Sequence, residues 1–478
     1  MGLVDRVKSG IDGLDEAVEG GFPKDSLILL AGEPGTGKTV FSMQFLVKGA
    51  ELNEPGVYVS FSEAKNTLIN NFSRHLNVDL TRLESEGKIK ILDFTAIKEE
   101  GISLILESIL AEVKALKAKR LVIDSFSAMA QAFKEPIDVR IIVHTVLSRI
   151  VRGMNCTTIM IEEIPIGESK IGLGVEEFVA DGLIRLNARE LRGRLFRDIE
   201  ILKLRGVELK ERKLTFTLKR GFKVFPPFKP KLIEKPSRFQ SIPDKLDKYS
   251  TGVEDLDAIF NGGFSKGDTV LFEIASEVSM SEYHLIAAPT AVNFIANQRA
   301  VLIIPTIGVD AEKLRQVGLS YGLTNEEINS FLRVCTSRSW GKYEDKPYIV
   351  FFDMKDPWED YLKYIETEED LMQKTGQPIM SIAGVDTLTS YYDESTCEKI
   401  IGREVIRVRK NKALSLILMK GNSYKLGRKL SSIVTTHLKL TREHGCLLFY
   451  GVKPRTGLYA VEMDVSKGYP LPKLTPII

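Results

Sequence analysis

A run of residues near the start of the chain has the types and the spacing of a phosphate-binding loop. The stretch Gly32-Glu33-Pro34-Gly35-Thr36-Gly37-Lys38-Thr39 fits the pattern G-x-x-x-x-G-K-S/T at every fixed position. Its glycines allow positive φ and bring backbone N–H groups close to a polyphosphate, while the lysine reaches the β- and γ-phosphates. The final hydroxyl would hold Mg²⁺. We predict that this loop binds a nucleoside triphosphate and Mg²⁺ rather than being a glycine-rich turn without a ligand.

The flanking residues supply the elements that such a loop needs. The apolar run Leu27–Ala31 is typical of a buried strand, and from Thr39 onward Val40, Met43 and Val47 recur at helical spacing. The N-terminus of that helix adds its dipole to the donors of the loop. We therefore expect residues 32–39 and Val40 to contact the nucleotide.

Two carboxylates further along the chain are candidates for the chemistry of phosphate transfer. Asp124 ends a short apolar strand, where P-loop proteins carry the acid that holds Mg²⁺ through water. Glu63 follows the predicted strand 57–61 and could polarise the attacking water. A strand-end Asp is otherwise commonly a cap, and a lone Glu a surface residue. Beside a P-loop, we favour Asp124 as the metal-site residue, and Glu63 with Lys38 as the catalytic residues.

Two cations interrupt the β-rich tail of the first half, in the run Lys203-Leu204-Arg205. Residues two apart on a strand point to one face, so Lys203 and Arg205 would lie side by side. Such a pair is usually solvated. It could instead reach the nucleotide of a neighbouring subunit, as the arginine fingers of other phosphoryl-transfer proteins do.

Composition indicates an ordinary globular protein. The 66 Lys and Arg residues against 64 Asp and Glu residues give a net charge of +2, which argues neither for nor against nucleic acid. The N-terminus shows no apolar signal-peptide region, and no apolar run reaches the ~20 residues of a membrane span. The four cysteines are far apart, which is untypical of a metal site or a disulfide scaffold. We expect a cytoplasmic protein without a membrane segment.

An internal repeat predicts two homologous domains. Residues 9–22 read SGIDGLDEAVEGGF and residues 251–264 read TGVEDLDAIFNGGF, at a constant offset of 242. A stretch rich in Pro and Lys without apolar periodicity separates the copies, which is typical of a semi-rigid linker. We predict a first domain at 1–228, a linker at 229–247 and a second domain at 248–478.

The order of the segments predicts the fold class. Strand and helix signals alternate after the P-loop, which favours an α/β fold with a mainly parallel sheet and helices on both faces. From Leu183 the signals are β-only, which predicts an antiparallel extension at one edge. The expected architecture is two tandem P-loop domains of this kind.

Taken together, the motifs resemble the KaiC-like ATPases of the RecA superfamily. The residues that carry the resemblance are SGIDGLDEAVEGG, AGEPGTGKT, YVSFSE, LVIDS, GVEEFVADGLIRL and KLRG, which span nearly all of residues 5–226. The resemblance implies RecA-like domains, ATP at a subunit interface, and ring-shaped homo-oligomers that are commonly hexamers. It implies that Lys38, Thr39 and Asp124 serve ATP and Mg²⁺, and that Lys203 and Arg205 act from the next subunit.

The sequence departs from this family at two places. The family often has two consecutive glutamates after the second strand; here Ser62 replaces the first, which is the usual base, and this is compatible with slow hydrolysis. The second copy has Ile274-Ala275-Ser276-Glu277-Val278-Ser279-Met280-Ser281 where the P-loop would lie, with Met280 in place of Lys38. Asp386 aligns with Asp124, and Lys453-Pro454-Arg455 aligns weakly with the cationic run. We predict a second domain that does not bind triphosphate, and we do not expect autokinase activity.

Three hypotheses for function follow. The leading hypothesis is an ATP-hydrolysing or ATP-switched homo-oligomer that regulates an unidentified protein partner. The second is a RecA-related DNA-binding ATPase; we do not favour it, because the segment 164–181 carries four acidic residues and one lysine. The basic residues of the tail (Arg189, Arg192, Arg194, Arg197) and of the run 407–412 are weak evidence for it. The third is an assembly module in which ATP holds the ring together and turnover is incidental.

Overall fold

The chain divides into two compact units. The computed structural model describes residues 5–95, 102–130, 146–168, 171, 179–337, 346–421 and 424–478. The first unit comprises Met1–Pro227 with His444–Cys446 and Pro476–Ile478, and the second comprises Phe228–Glu443 with Leu447–Thr475. We refer to them as the first and the second domain. The linker at 229–247 stays a prediction; this segment contains no helix or named strand, and the buried Phe239 within it donates its N–H to the carbonyl oxygen of Tyr321 at 2.8 Å.

The first domain contains eleven strands in the described residues. They are β1 (Arg6–Val7), β2 (Phe22–Pro23), β3 (Leu27–Gly32), β4 (Gly56–Ser60), β5 (Ile89–Asp93), β6 (Arg120–Asp124), β7 (Thr157–Glu163), β8 (Gly182–Leu191), β9 (Arg194–Leu204), β10 (Lys213–Thr217) and β11 (Lys223–Phe225). The helices are α1 (Leu14–Ala17), α2 (Lys38–Glu51), α3 (Lys65–Leu76), α4 (Leu80–Ser85), α5 (Ile102–Leu116), α6 (Phe126–Ala130) and a π-helical segment, Val146–Arg152. The sequence also predicts a helix at 139–154, of which residues 139–145 lie outside the described residues.

The main sheet of the first domain has the order β11-β10-β9-β8-β3-β7-β6-β4-β5. Strands β8, β3, β7, β6, β4 and β5 are parallel, whereas β9, β10 and β11 continue the sheet with antiparallel pairing. This confirms the predicted α/β class with its antiparallel extension.

Alternation along β3 explains why helices cover both faces of this sheet. Ile28 and Leu30 pack in one core cluster together with Phe41 of α2. Leu27 and Leu29 pack in a second cluster that includes α5 and α6. Because successive side chains on a strand point to opposite faces, a continuous apolar run forms a strand that is buried on both sides.

The second domain repeats this plan. Its strands are β12 (Lys248–Tyr249), β13 (Phe264–Ser265), β14 (Thr269–Ile274), β15 (Val301–Ile304), β16 (Leu332–Ser337), β17 (Ile349–Phe352), β18 (Met380–Gly384), β19 (Leu414–Lys420), β20 (Thr436–Glu443), β21 (Cys446–Lys453), β22 (Tyr459–Asp464) and β23 (Leu471–Pro476). Its helices are α7 (Glu254–Ile259), α8 (Met280–Ala296), α9 (Ala311–Ser320), α10 (Asn325–Phe331), α11 (Pro357–Thr375), α12 (Val385–Tyr391), α13 (Glu394–Asn411) and α14 (Tyr424–Ile433).

The two strand orders agree with a duplicated fold. The second sheet has the order β17-β16-β15-β18-β19-β14-β20-β21-β22-β23, which is the order of the first sheet with β17 added at one edge. Strand β14 takes the place of the P-loop strand β3, and β18 takes the place of β6.

In the described part of the chain, no helix combines the length and the hydropathy that crossing a membrane requires.

Candidate nucleotide site

Four neighbouring parallel strands of the first domain bring the predicted site residues to one edge of the sheet. Gly32 at the end of β3 pairs with Glu163 at the end of β7, and Ser60 at the end of β4 pairs with Asp124 at the end of β6. Since parallel strands end at the same edge, the P-loop, Glu163, Asp124 and the residues after Ser60 meet there. This carboxyl edge is where open α/β sheets bind ligands.

The loop from Gly32 to Thr39 has the backbone that its glycines predict. Gly35 and Gly37 lie in the left-handed region, with φ of 76° and 102°. A Cβ on Gly37 would also lie 2.8 Å from a methyl carbon of Leu218. Such conformations favour glycine and turn backbone N–H groups toward one concave side, as an anion requires. The loop is therefore shaped to take a phosphate chain.

Lys38 is the first residue of α2 and is nearly buried. Its Nζ donates to the carbonyl oxygens of Gly32 at 2.8 Å and Glu33 at 2.9 Å, and it lies 3.8 Å from Oε1 of Glu163. Burial lowers the pKa of the Lys38 amine, although the negative charges of Glu163 and Asp124 oppose this. A cation held in a low-dielectric place is well suited to meet a phosphate oxygen.

Thr39 and Asp124 lie together, as the predicted Mg²⁺ site requires. The Thr39 hydroxyl donates to Oδ2 of Asp124 at 3.0 Å, and the buried Tyr58 hydroxyl donates to the same oxygen. Burial raises the pKa of Asp124, while these two hydrogen bonds lower it. Hydroxyl and carboxylate oxygens are the donors that Mg²⁺ prefers. No group of three or more His, Cys, Asp or Glu able to hold a metal occurs among the described residues. Mg²⁺ bound at the Thr39 and Asp124 pair would take its other oxygen ligands from phosphate and water.

Glu63 lies in the turn after β4, at the same edge of the sheet. Its backbone is fixed by Ser60, whose hydroxyl donates to the Glu63 carbonyl oxygen at 2.6 Å and accepts from the Glu63 N–H at 3.1 Å. Burial raises the pKa of the Glu63 carboxyl, and the charge of Asp124 raises it further. A raised pKa makes a carboxylate a better proton acceptor.

The cationic run Lys203-Leu204-Arg205 lies at the opposite end of the strands from the P-loop. Leu204 pairs with Gly182, which pairs with Ile28 near the start of β3. At roughly 3.3 Å per residue, the length of β3 separates this run from Gly32 by about 13 Å. Arg205 directly follows β9 rather than lying within it, and its Nη1 donates to Asp181 Oδ1 at 3.1 Å. Burial and the charge of Arg205 lower the pKa of Lys203.

The fold adds three residues to the carboxyl edge of the sheet, beside the P-loop, that the sequence alone did not identify. Glu163 could have been found, because two acids follow an apolar run at a strand end. Tyr58 gave no signal, because its contact with Asp124 depends on the pairing of β4 with β6. Arg197 of β9 donates through Nη1 to the carbonyl oxygen of Gly35 at 3.1 Å, and only the antiparallel extension brings it to the loop.

In the second domain, the protein's own carboxylates occupy the place of the P-loop. Ser279 and Glu282 form a capping box at the N-terminus of α8, and the buried Glu282 forms an ion pair with Arg442. Glu277 accepts from the Thr441 hydroxyl at 3.2 Å. Although burial acts to raise the pKa of Glu277, hydrogen bonds from backbone N–H groups and hydroxyls outweigh it and lower the pKa. Backbone and arginine donors at this position thus already hold anions.

The other aligned positions of the second domain are also engaged internally. Asp386 lies in α12 and accepts from the Ile307 N–H at 3.1 Å, with Lys420 at 4.0 Å. Lys453 donates to the carbonyl oxygens of Ser431 at 3.1 Å and Val434 at 2.9 Å. These contacts give Asp386 and Lys453 structural partners.

Comparison with known proteins agrees with the geometry. The profile of the KaiC ATPase family matches residues 7–228. A UPF0273 protein of Thermotoga maritima is 35% identical over 240 residues, which cover 47% of this chain and 97% of that protein. The circadian clock oscillator protein KaiC of Nostoc sp. is 31% identical over 361 residues, which cover 73% of this chain and 67% of that protein. The crystal structure of a KaiC-like protein of Pyrococcus horikoshii has 40% identity, covers 47% of this chain and 100% of that one, and gives a TM-score of 0.42.

Both the site geometry and the sequence matches therefore point to the same residues of the first domain. The match to the KaiC ATPase profile covers the residues that form the P-loop, the acidic strand end and the cationic run. The match to KaiC itself is longer than the first domain. The chain belongs to the KaiC-like ATPases of the RecA superfamily, with two tandem domains.

Proposed function

We propose that the chain is an ATP-hydrolysing homo-oligomer that regulates a protein partner, with ATP and Mg²⁺ bound by the first domain. The observation that carries this proposal is the cluster of Lys38, Thr39 and Asp124 at the carboxyl edge of the sheet, joined by the 3.0 Å contact between Thr39 and Asp124. A phosphate-binding loop beside a lysine and a metal-site carboxylate is the arrangement that phosphoryl transfer needs.

The chemistry would be an in-line attack of water on the γ-phosphorus. The water oxygen bonds to phosphorus while the bond to the β–γ bridging oxygen breaks, which leaves ADP and inorganic phosphate. Lys38 would neutralise charge on the phosphate oxygens, and Glu63 would orient the water and take its proton. Mg²⁺, held by Thr39 and through water by Asp124, would neutralise charge on the β- and γ-phosphates.

Glu163 is a second candidate for positioning the water. Its carboxylate lies 3.8 Å from Lys38 Nζ and is about half exposed, so water can reach it. The family's usual first glutamate is replaced by Ser62 in this chain, and Glu163 offers a carboxylate at the same edge. Glu63 stays the leading candidate, because burial and Asp124 raise its pKa.

The position of the cationic run supports action on a neighbouring subunit. Lys203, Leu204 and Arg205 lie at the edge of the sheet that faces away from their own P-loop, so they cannot contact the nucleotide of the same chain. In a ring with head-to-tail interfaces, one edge of each subunit faces the other edge of the next. A hexameric ring would place Lys203 and Arg205 near the neighbour's triphosphate, where they would stabilise charge in the transition state.

The second domain would serve assembly or partner binding rather than catalysis. Met280 replaces the P-loop lysine, and Glu277 and Glu282 hold the donors that a phosphate would need. Autokinase activity is therefore not part of the proposal. We propose a protein rather than a nucleic acid as the partner.

DNA binding is the alternative that the contacts support less. Arg407 forms ion pairs with Glu368 and Glu369, Arg189 contacts Asp198 at 3.1 Å, and Arg197 bonds to Gly35. These basic side chains have internal partners, which reduces their value for phosphate backbones. Half of the segment 164–181 lies outside the described residues. A shift of single-stranded DNA by the protein that weakens with salt would favour this alternative.

Phosphate release by the full-length protein tests the proposal. Lys38→Ala should lower the rate at least about 100-fold, because the charge at the transferring phosphate is lost. Lys48→Ala, which removes an exposed lysine of the same helix, should leave the rate unchanged. ATP binding by wild type without phosphate release would favour the assembly module. Full activity of Lys38→Ala would contradict both readings.

A further inference from the structure

A cavity lies inside the second domain, between the sheet and the helices α11 and α13. Its volume is about 70 Å³, several times the roughly 10–15 Å³ that one water needs. Rings of Phe352, Tyr361, Tyr364 and Tyr392 contribute to its lining. None of the residues proposed to bind or hydrolyse ATP lines it, so the cavity has no part in the function proposed above.

The carboxylates around this cavity outnumber the cation that pairs with them. Glu404 and Asp360 line the cavity, and the buried Glu368 lies beside it. Arg407 forms an ion pair with Glu368, and its Nε lies 3.4 Å from Oε2 of Glu404. Within this cluster, the single guanidinium of Arg407 therefore pairs with two largely buried carboxylates, Glu368 and Glu404, in a mostly apolar setting.

Two polar atoms at the cavity wall lack a partner among the described residues. Oε2 of Glu404 accepts from the Tyr361 hydroxyl at 3.2 Å, but its Oε1 is buried and accepts no hydrogen bond. The hydroxyl of Thr269, a residue with 2% of its surface exposed, is also unpaired. Asp360, by contrast, accepts from the Tyr392 hydroxyl at 2.6 Å and the Asp353 N–H at 3.1 Å. Buried acceptors without donors are rare and indicate a missing partner.

The electrostatics of Glu404 agree with a missing positive charge. Burial raises the pKa of Glu404 to about 7, the charge of Glu368 raises it as well, and Arg407 and Tyr361 compensate only in part. A bound cation would restore the ionised carboxylate.

We propose that this cavity binds a small organic ammonium ion. The ammonium would donate to Oε1 of Glu404 and to the hydroxyl of Thr269, and the aromatic rings would hold the hydrocarbon part and attract the positive charge. A neutral ligand would not restore the ionised form of Glu404. A metal ion fits less well, because Mg²⁺ and Ca²⁺ require about six oxygen ligands, whereas this lining is mostly apolar.

Calorimetric titration of the full-length protein with benzylammonium tests the proposal. Methylammonium and benzyl alcohol serve as a smaller cation and as a neutral molecule of matched shape. Benzylammonium should bind saturably and at least about tenfold more tightly than benzyl alcohol, since an ammonium–carboxylate hydrogen bond is replaced by a neutral one. Equal affinity for the alcohol, or no binding of either ammonium ion, would overturn the proposal.

Variants locate the site. Glu404→Gln should weaken benzylammonium at least about tenfold, whereas Glu369→Gln, a more exposed partner of Arg407 that does not line the cavity, should leave it unchanged. Leu388 is half-buried and lines the cavity. Leu388→Trp should block binding by filling the space while Glu404 stays in place. This variant tests the proposal if Glu404→Gln does not fold. Undiminished binding in both folded variants would exclude this cavity as the site.

Discussion

Asp124 is the residue at which three parts of the first domain meet. Its carboxylate accepts hydrogen bonds from Thr39 of the P-loop helix and from Tyr58 of the neighbouring strand, and its charge raises the pKa of Glu63. The equivalent Asp386 accepts instead from a backbone N–H of its own domain. Asp386, which aligns with Asp124 in sequence, lies two residues beyond the end of β18, within α12, so the two aspartates have different neighbours and different roles.

The two carboxylates near the P-loop can be distinguished by matched substitutions. We expect Glu63→Gln to lower phosphate release by about 10²- to 10⁴-fold with ATP affinity retained, because only the proton acceptor is lost. Glu163→Gln should change the rate by less than about tenfold. Single-turnover phosphate release, with a separate binding assay, measures both quantities. The opposite order of effects would assign the water to Glu163.

The buried carboxyl of Asp268 should make the stability of the second domain depend on pH. Burial raises its pKa to about 6, although the Thr436 hydroxyl donates to it at 2.6 Å. Because the folded state then binds a proton more tightly than the unfolded state, stability should fall as pH rises from about 4 to about 6 and stay lower above that. We expect Asp268→Asn to gain on the order of 2–3 kcal/mol relative to wild type at pH 7.5, and little at pH 4.

Urea unfolding followed by tryptophan fluorescence reports this domain, since Trp340 and Trp358 both belong to the second copy. Asp370→Asn, which removes an exposed acid paired with Lys374, should show no such pH-dependent gain. A constant difference between Asp268→Asn and wild type across the pH range would exclude Asp268 as the titrating group.

At the scale of elements, the start of one helix separates the two copies. Helix α2 begins after Gly37, whose left-handed backbone continues the phosphate-binding loop. Helix α8 begins with Ser279 as its N-cap, and Glu282 reaches back to the Ser279 N–H at 2.7 Å. A helix N-terminus with a carboxylate already in place has little attraction left for a phosphate. The capping box would therefore account for the predicted absence of triphosphate binding in the second domain.

The ion pair between Arg442 and Glu282 at the start of α8 allows a prediction of how much its loss would destabilise the second domain. Arg442→Ala leaves the buried Glu282 without its cation and should lower the free energy of unfolding of the second domain by about 3 kcal/mol, the low end for a buried pair, since Arg442 is 26% exposed. Arg315→Ala removes a cation that pairs with the more exposed Glu312 and should cost less than about 1 kcal/mol. The urea assay described above measures both. Equal effects would show that the pair is no stronger than a surface contact.

At the scale of the whole molecule, the first domain separates its two sets of charged residues across the sheet. Lys38 and Asp124 lie at the carboxyl edge, and Lys203 and Arg205 lie at the other edge. A single chain cannot bring them together, because the strands between them are fixed by their hydrogen bonds. If Lys203 and Arg205 act on the nucleotide as proposed, complete sites would require neighbouring subunits, and assembly would be coupled to catalysis.

Mixing inactive variants tests this coupling. Lys38→Ala and Arg205→Ala should each release little phosphate alone, whereas an equal mixture reassembled together should regain activity at about a quarter of its interfaces, where each variant supplies what the other lacks. Lys213→Ala, which breaks an exposed ion pair on the adjacent strand, should stay active. No recovery in mixed oligomers would contradict action from the neighbour. Native mass measurements with ATP·Mg²⁺, with ADP and without nucleotide should show a hexamer that ATP favours.

The sequence by itself determined the elements and their chemical types. The P-loop needs glycines and a lysine at fixed spacing. The alternation of strand and helix signals after the P-loop predicted a mainly parallel sheet with helices on both faces. The constant offset of 242 predicted the duplicated domain. These properties are local, so a linear pattern contains them.

Only the tertiary structure decided which residues meet across the chain. The contacts of Tyr58 with Asp124, Glu163 with Lys38 and Arg197 with Gly35 join residues far apart in sequence, and they depend on strand order and register. The carboxylates at the start of α8 and the cavity beneath α11 and α13 likewise arise from packing. Strand pairing and burial are long-range effects, and they set the charge balance that residue types alone leave undetermined.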